Sequence, residues 1–142
     1  METLTKDVAE ILGLSRRASI SKYDLALRFA AGLPVSTLDR LCRAVAPEDN
    51  SFPTELIPRA TLKRRRAKKV LSPEESELVG RLAQVWAMAL DVYQDEETAR
   101  RFLNEPHALL QGKKPIDVAR TNAFGASVVE DILGRLKYGS AA

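Results

Sequence analysis

The chain of 142 residues carries 22 Lys and Arg against 19 Asp and Glu, is 45% apolar and 29% charged, and has one cysteine, Cys42. That length suits one helical core or two small units sharing one, and the composition excludes disordered, fibrous and disulfide-stapled chains. Asp24, Arg28, Asp91 and Glu97 interrupt every run that approaches the roughly 18 apolar residues of a membrane span. The start METLTKDVAEIL has acids where a secretory leader needs a basic end and an unbroken apolar run, so a cytoplasmic protein with no membrane partner is expected.

Helix signals run along the whole chain. Period-two alternation is missing, as are the Asn-Gly and Asp-Gly pairs that close hairpins, so an all-α fold is expected. Residues 1–20, with LGLSRRAS at Leu12 to Ser19, read as an N-terminal arm or an extra helix. Ser21 and Asp24 open a helix over residues 23–31 that Gly32 ends. Ser36 and Asp39 open another with Leu38, Leu41, Cys42 and Val45 on one face, and both starts resemble capping boxes with Asp in place of Glu. Pro47 and Pro53 punctuate a polar connection, and TELI then gives barely one and a half turns before Pro58.

SPEE at Ser72 is the clearest start in the chain: an N-cap serine, a proline at the first helical position and Glu75 placed to return a hydrogen bond. The long helix it opens carries Leu78, Val79, Leu82, Val85, Trp86, Ala89, Leu90 and Tyr93 as a continuous apolar stripe. Such a stripe has more to bury than a chain this size covers, and a homodimer is expected. Asp95 caps a further helix with Phe102 and Leu103, closed at Asn104 to Pro106. Gly112 and Pro115 bracket a short helix through Ile116 and Val118. The last helix offers Val128, Val129, Ile132, Leu133 and Leu136 to a core before Gly139 ends it.

Charge is segregated along this string. RATLKRRRAKK, beginning at Arg59, holds seven cations in eleven residues, whereas residues 72–105 hold eight acids against three arginines, a local net of −5. The first segment suits polyanions. TELI, a proline corner and RATLKRRR have the layout of a helix-turn-helix whose second helix enters the major groove. At about 100° per residue Leu62 anchors that helix inward while Ala60, Thr61 and Arg64 lie opposite. The expected DNA-binding set is Arg59, Ala60, Thr61, Lys63, Arg64, Arg65, Lys68 and Lys69, with Arg64 reading a base and the lysines meeting phosphates.

Catalytic chemistry has little to work with. His107 is the only histidine and reads as structural, Cys42 reads as a small buried apolar residue, and the acids Asp95 to Glu97 read as caps. No metal-ligand spacing and no phosphate loop occurs, so no catalytic residue, cofactor, metal or small-molecule substrate is expected. The ending KYGSAA pairs an aromatic with a helix-stopping glycine, and reads either as a frayed end or as an insert for a partner's concave site.

These segments together are familiar. GLPVSTLDRL, TLKRRRAKKVLSPEESELVGRLAQV and FLNEPHALLQGKKPIDVARTNAFGASVVEDILGRLKYG resemble the Xre/MbcA/ParS-type antitoxins of bacterial RES-domain toxin systems, over nearly the whole chain beyond residue 21. The spacing of Leu110, Gly112 and Pro115 and the ending Arg135, Tyr138 and Gly139 carry the likeness. The resemblance implies an Xre-like helix-turn-helix region over residues 21–70 and a helical toxin-binding and dimerisation domain over residues 71–142. It implies a partner, a RES toxin that degrades NAD, covered at its active-site entrance by a C-terminal set of Arg135, Lys137, Tyr138, Gly139 and Ser140, and repression of the chain's own operon. The alternative is a helix-turn-helix regulator without a toxin partner, dimerised through the long helix.

Overall fold

The computed structural model describes residues 2–14 and 20–139. Among them run α1 (Glu2–Ile11), α2 (Lys22–Ala31), α3 (Val35–Val45), α4 (Phe52–Leu56), α5 (Arg59–Lys68), α6 (Pro73–Tyr93), α7 (Glu96–Asn104), α8 (Pro115–Thr121) and α9 (Ala123–Tyr138), with a 3-10 turn at Ala108–Leu110. None of these helices is long and apolar enough to cross a membrane. Local signals set most of the boundaries. Ser21 accepts from the Asp24 amide, Asp95 from the Thr98 amide, and Asn122 from the Gly125 amide. Ser72 and Glu75 close a full capping box, the side chain of each meeting the other's backbone N–H.

α6 is the axis of the molecule. α1, α2, α3, α7, α8 and α9 all pack on it, and its buried residues go almost all the way round: Ser76, Val79, Gly80, Leu82, Ala83, Val85, Trp86, Ala87 and Ala89. Of the apolar stripe that pointed to a second copy, Val79, Leu82, Val85, Trp86 and Ala89 are therefore buried by the chain's own helices, while Leu78, Leu90 and Tyr93 stay half-buried. Part of that cover is α1, whose Val8 and Ala9, with Leu12 just beyond its end, are buried, so the start of the chain forms the extra helix rather than a loose arm. Ser15 to Ser19 of that stretch lie outside the described residues.

Two expectations shift. α3 begins at Val35 with Pro34 as its N-cap, and Ser36 makes no capping box, because the backbone on either side of Pro34 is pinned from afar. Val35 N–H donates to the Lys69 carbonyl at 3.1 Å, Leu71 N–H to the Leu33 carbonyl at 2.8 Å, and Leu33 N–H to the buried Ser76 hydroxyl at 2.7 Å. α9 buries Ala126, Val129, Ile132 and Leu133, whereas Val128 and Leu136 stand 45% and 51% exposed. The arc that the sequence offers is wider than the strip that α6 and α8 cover.

Candidate functional site

Phe52 of α4 and Ile57 at its end are buried, and Pro58, at φ −51° and ψ 145°, turns the chain directly into α5. This is the expected short helix, corner and second helix. α5 buries a single side chain, Leu62. Its remaining attachments are ionic: Arg65 Nε donates to Glu75 Oε1 at 2.7 Å, and Arg66 meets both carboxylate oxygens of Asp39 at 3.0 Å. The fork-to-fork Arg66 pair fixes the rotation of α5 against α3, while Arg65 ties it to the start of α6. Neither link is legible in the sequence, since both join residues far apart along the chain, and Asp39 reads locally as a cap.

What these pairs leave outward is a basic face. Arg59, Ala60, Lys63, Arg64, Lys68 and Lys69 are exposed, Thr61 is half-buried, and Arg64 Nη2 donates to the Thr61 hydroxyl at 3.3 Å. Of the expected set only Arg65 is turned aside into an internal ion pair. The hydrogen bond to Glu75 pushes its guanidinium above the ordinary value, so it stays a cation throughout.

Glu75 gives this arrangement a pH dependence. Burial raises its carboxyl, but the hydrogen bonds from Arg65 and the Ser72 N–H outweigh that and hold it below the ordinary value of 4.5. A carboxyl depressed in the folded state stabilises the fold above its unfolded value and loses that contribution as pH falls through the folded value. Glu75→Gln should therefore melt lower than the parent at pH 7, and the gap should shrink as melting curves are taken from pH 5 toward pH 3. A gap constant over that range would mean that ionised Glu75 does not hold α5.

Cys42 and His107, the two groups with catalytic chemistry, are occupied otherwise. Burial, with Asp39 next, pushes the Cys42 thiol up to about 12, which suppresses the thiolate at neutral pH. His107 Nδ1 accepts from the Leu109 amide at 3.1 Å to cap the 3-10 turn, and its ring sits edge-on to Phe102.

At the other end, Arg135, Lys137, Tyr138 and Gly139 are exposed, Tyr138 by 78%, and Gly139 closes α9 in the left-handed conformation at φ +65°. Lys137 pairs with Asp91 of α6, fastening the last turn while Tyr138 stands clear. Ser140 lies outside the described residues. Sequence reasoning misses Phe124 in the first turn of α9, which is 85% exposed. Its only sequence signal is an aromatic beside an N-cap asparagine.

Side chains from the later helices also cap the earlier ones. Arg100 of α7, its guanidinium 5.6 Å from the Trp86 ring centre, donates from Nε to the Ala44 carbonyl at 2.6 Å, and Asn104 donates to the Val45 carbonyl at 3.2 Å. Arg120 of α8 donates to the Glu55 carbonyl at 3.0 Å. These carbonyls sit in the last turns of α3 and α4, where helices lack internal donors.

Two family models match in tandem, and both fall on this geometry. The antitoxin Xre-like helix-turn-helix domain covers residues 24–84, from α2 into α6, and the antitoxin Xre/MbcA/ParS C-terminal toxin-binding domain covers residues 88–139, from within α6 to the end of α9. No curated protein matches the chain. With a helix-turn-helix carrying a basic second helix, followed by a toxin-binding helical domain and no enzymatic role in either match, the chain belongs to the Xre/MbcA/ParS antitoxins.

Proposed function

We propose that this antitoxin neutralises a RES-domain, NAD-degrading toxin in the cytoplasm by laying the end of α9 over the toxin's active-site entrance, and that it represses its own operon through α5. The observation that carries the first part is Tyr138, a large aromatic held clear of the protein at the end of a helix whose last turn is fastened by Lys137. Arg135, Lys137, Tyr138, Gly139 and Ser140 are its contact set. The NAD-degrading activity of the partner rests on the resemblance over nearly the whole chain beyond residue 21, and the test is direct. NAD consumption by the purified toxin encoded beside this chain should stop on addition of the antitoxin. A neighbouring toxin that leaves NAD untouched would overturn the RES assignment.

Repression is supported by the exposed cations of α5. Arg59, Ala60, Thr61, Lys63, Arg64, Lys68 and Lys69 form the proposed surface, with Arg64 toward the bases and Lys68 and Lys69 toward phosphates, while Arg65 of the expected set stays behind it on Glu75. Operators for such motifs present two half-sites about one turn apart, so two copies are expected on DNA. Arg64→Ala should cost about 1 to 3 kcal/mol at the operator and relax its sequence preference. Lys68→Ala should weaken all sequences alike and flatten the salt dependence. Titration of the chain's own promoter at two salt concentrations separates the two effects, and unchanged binding by both variants would remove α5 from the interface.

A further inference from the structure

The solvent side of α9 carries exposed apolar groups that the fold makes no use of. Ala126, Val129, Ile132 and Leu133 turn inward, whereas Phe124, Val128 and Tyr138 are exposed. At about 100° per residue Phe124, Val128, Asp131, Arg135 and Tyr138 fall within one outward stripe, with apolar groups at both ends and a pair of opposite charges between them. Single exposed apolar residues are ordinary, but a row at i, i+4, i+7, i+11 and i+14 along one face, apolar at Phe124, Val128 and Tyr138 and charged at Asp131 and Arg135, has the spacing of helix anchors that dock against a partner. From Phe124 to Tyr138 the row spans about 21 Å at the helical rise of roughly 1.5 Å per residue.

The far end of this row is held rigidly. Asn122 caps the first turn by accepting from the Gly125 N–H at 2.8 Å. A Cβ on Gly125 would lie 2.1 Å from the Val118 carbonyl oxygen, so the backbones of α8 and α9 touch at this corner. Phe124 is thereby presented from a fixed backbone, which lowers the ordering cost of using it as an anchor.

We propose that the outward stripe of α9 from Phe124 to Tyr138 is one continuous toxin-docking surface, in which Phe124, flanked by Val128, is a second anchor remote from the C-terminal end. The partner surface is an apolar, concave strip on the toxin with charged groups opposite Asp131 and Arg135. The toxin is the occupant, rather than a second copy, because the stripe lies wholly within residues 88–139 matched by the toxin-binding domain and runs straight into the ending already assigned to the toxin. The inference deepens that reading and rests on it.

The full-length Phe124→Asp variant tests the proposal against the purified neighbouring toxin by calorimetry. Phe124 is exposed and lies in the first turn of a helix, where a carboxylate suits the dipole, so the substitution leaves folding intact, as a melting curve verifies. Toxin binding should weaken at least about tenfold, with operator binding unchanged, and Val128→Asp should show a smaller loss. Parent-like toxin affinity in both variants would overturn the proposal, as would a parent dimer that Phe124→Asp splits into monomers at unchanged toxin affinity. Deletion of residues 138–142 keeps the two readings apart. Loss on deletion alone rejects the second anchor and keeps the ending, whereas loss in Phe124→Asp alone rejects the ending and keeps the anchor.

Discussion

Deleting residues 138–142 should abolish toxin neutralisation and leave the protein folded and bound to its operator. The deletion takes the last residue of α9 and its closing Gly139, but Tyr138 is 78% exposed and the Lys137–Asp91 pair that fastens the last turn lies ahead of the cut. Within the fold, the Tyr138 ring meets the Lys137 ammonium, 5.6 Å from its centre, and at so exposed a site a cation–π interaction adds little to stability. Binding loses far more, since an aromatic anchor seated in a partner pocket is typically worth about 2 kcal/mol or more, roughly a thirtyfold change in dissociation constant. Cells co-expressing the toxin with the truncated antitoxin should stop growing while promoter repression persists. Equal rescue by truncated and intact antitoxin would show that the ending does not carry the neutralising contact.

Trp86→Ala should have the largest effect on stability of any single substitution outside the proposed interfaces. The ring is 1% exposed, lies midway along α6 and carries the Arg100 guanidinium that caps α3. Removing a fully buried indole leaves a cavity that costs about 3 to 5 kcal/mol, which for a chain of this size lowers the melting temperature by roughly 10 °C or more. Trp86→Phe keeps a flat apolar group against Arg100 and should lose less than half as much. Differential scanning calorimetry decides it: a shift of only one or two degrees for the alanine variant would mean that the neighbouring helices collapse into the space.

The helix-by-helix outline is legible in the sequence because its signals are local. Ser21, Ser72 and Asp95 cap helices by bonding amides three residues away, and Gly32 and Gly139 end helices by adopting positive φ, so each acts through its own stretch of chain. Leu62 as the inward anchor of α5 follows from helical phase alone. The parts that cannot be read depend on which distant segment arrives. Asp39 looks like a capping acid until α5 brings Arg66 against it, and Ser36 looks like a cap until Leu71 and Ser76 pin the chain at Leu33. The apolar residues of α9 span too wide an arc for sequence to choose among them, and the packing of α6 and α8 decides that Val129 is inside and Val128 outside. For that reason the C-terminal end stands out in the sequence as a candidate contact and Phe124 does not.

The donors that Arg100, Asn104 and Arg120 send to the ends of α3 and α4 couple the folding of the two matched regions. α4 is five residues long, too short to persist without its tertiary partners, and one of those partners belongs to the helices of the toxin-binding half. Melting α7 uncovers the last carbonyls of α3 and melting α8 uncovers that of Glu55 in α4, next to α5, while melting α3 takes the Ala44 and Val45 acceptors away from Arg100 and Asn104. Unfolding is therefore expected as a single cooperative event, with the proposed DNA and toxin surfaces lost together, and coincident melting curves from Trp86 fluorescence and far-UV dichroism check it.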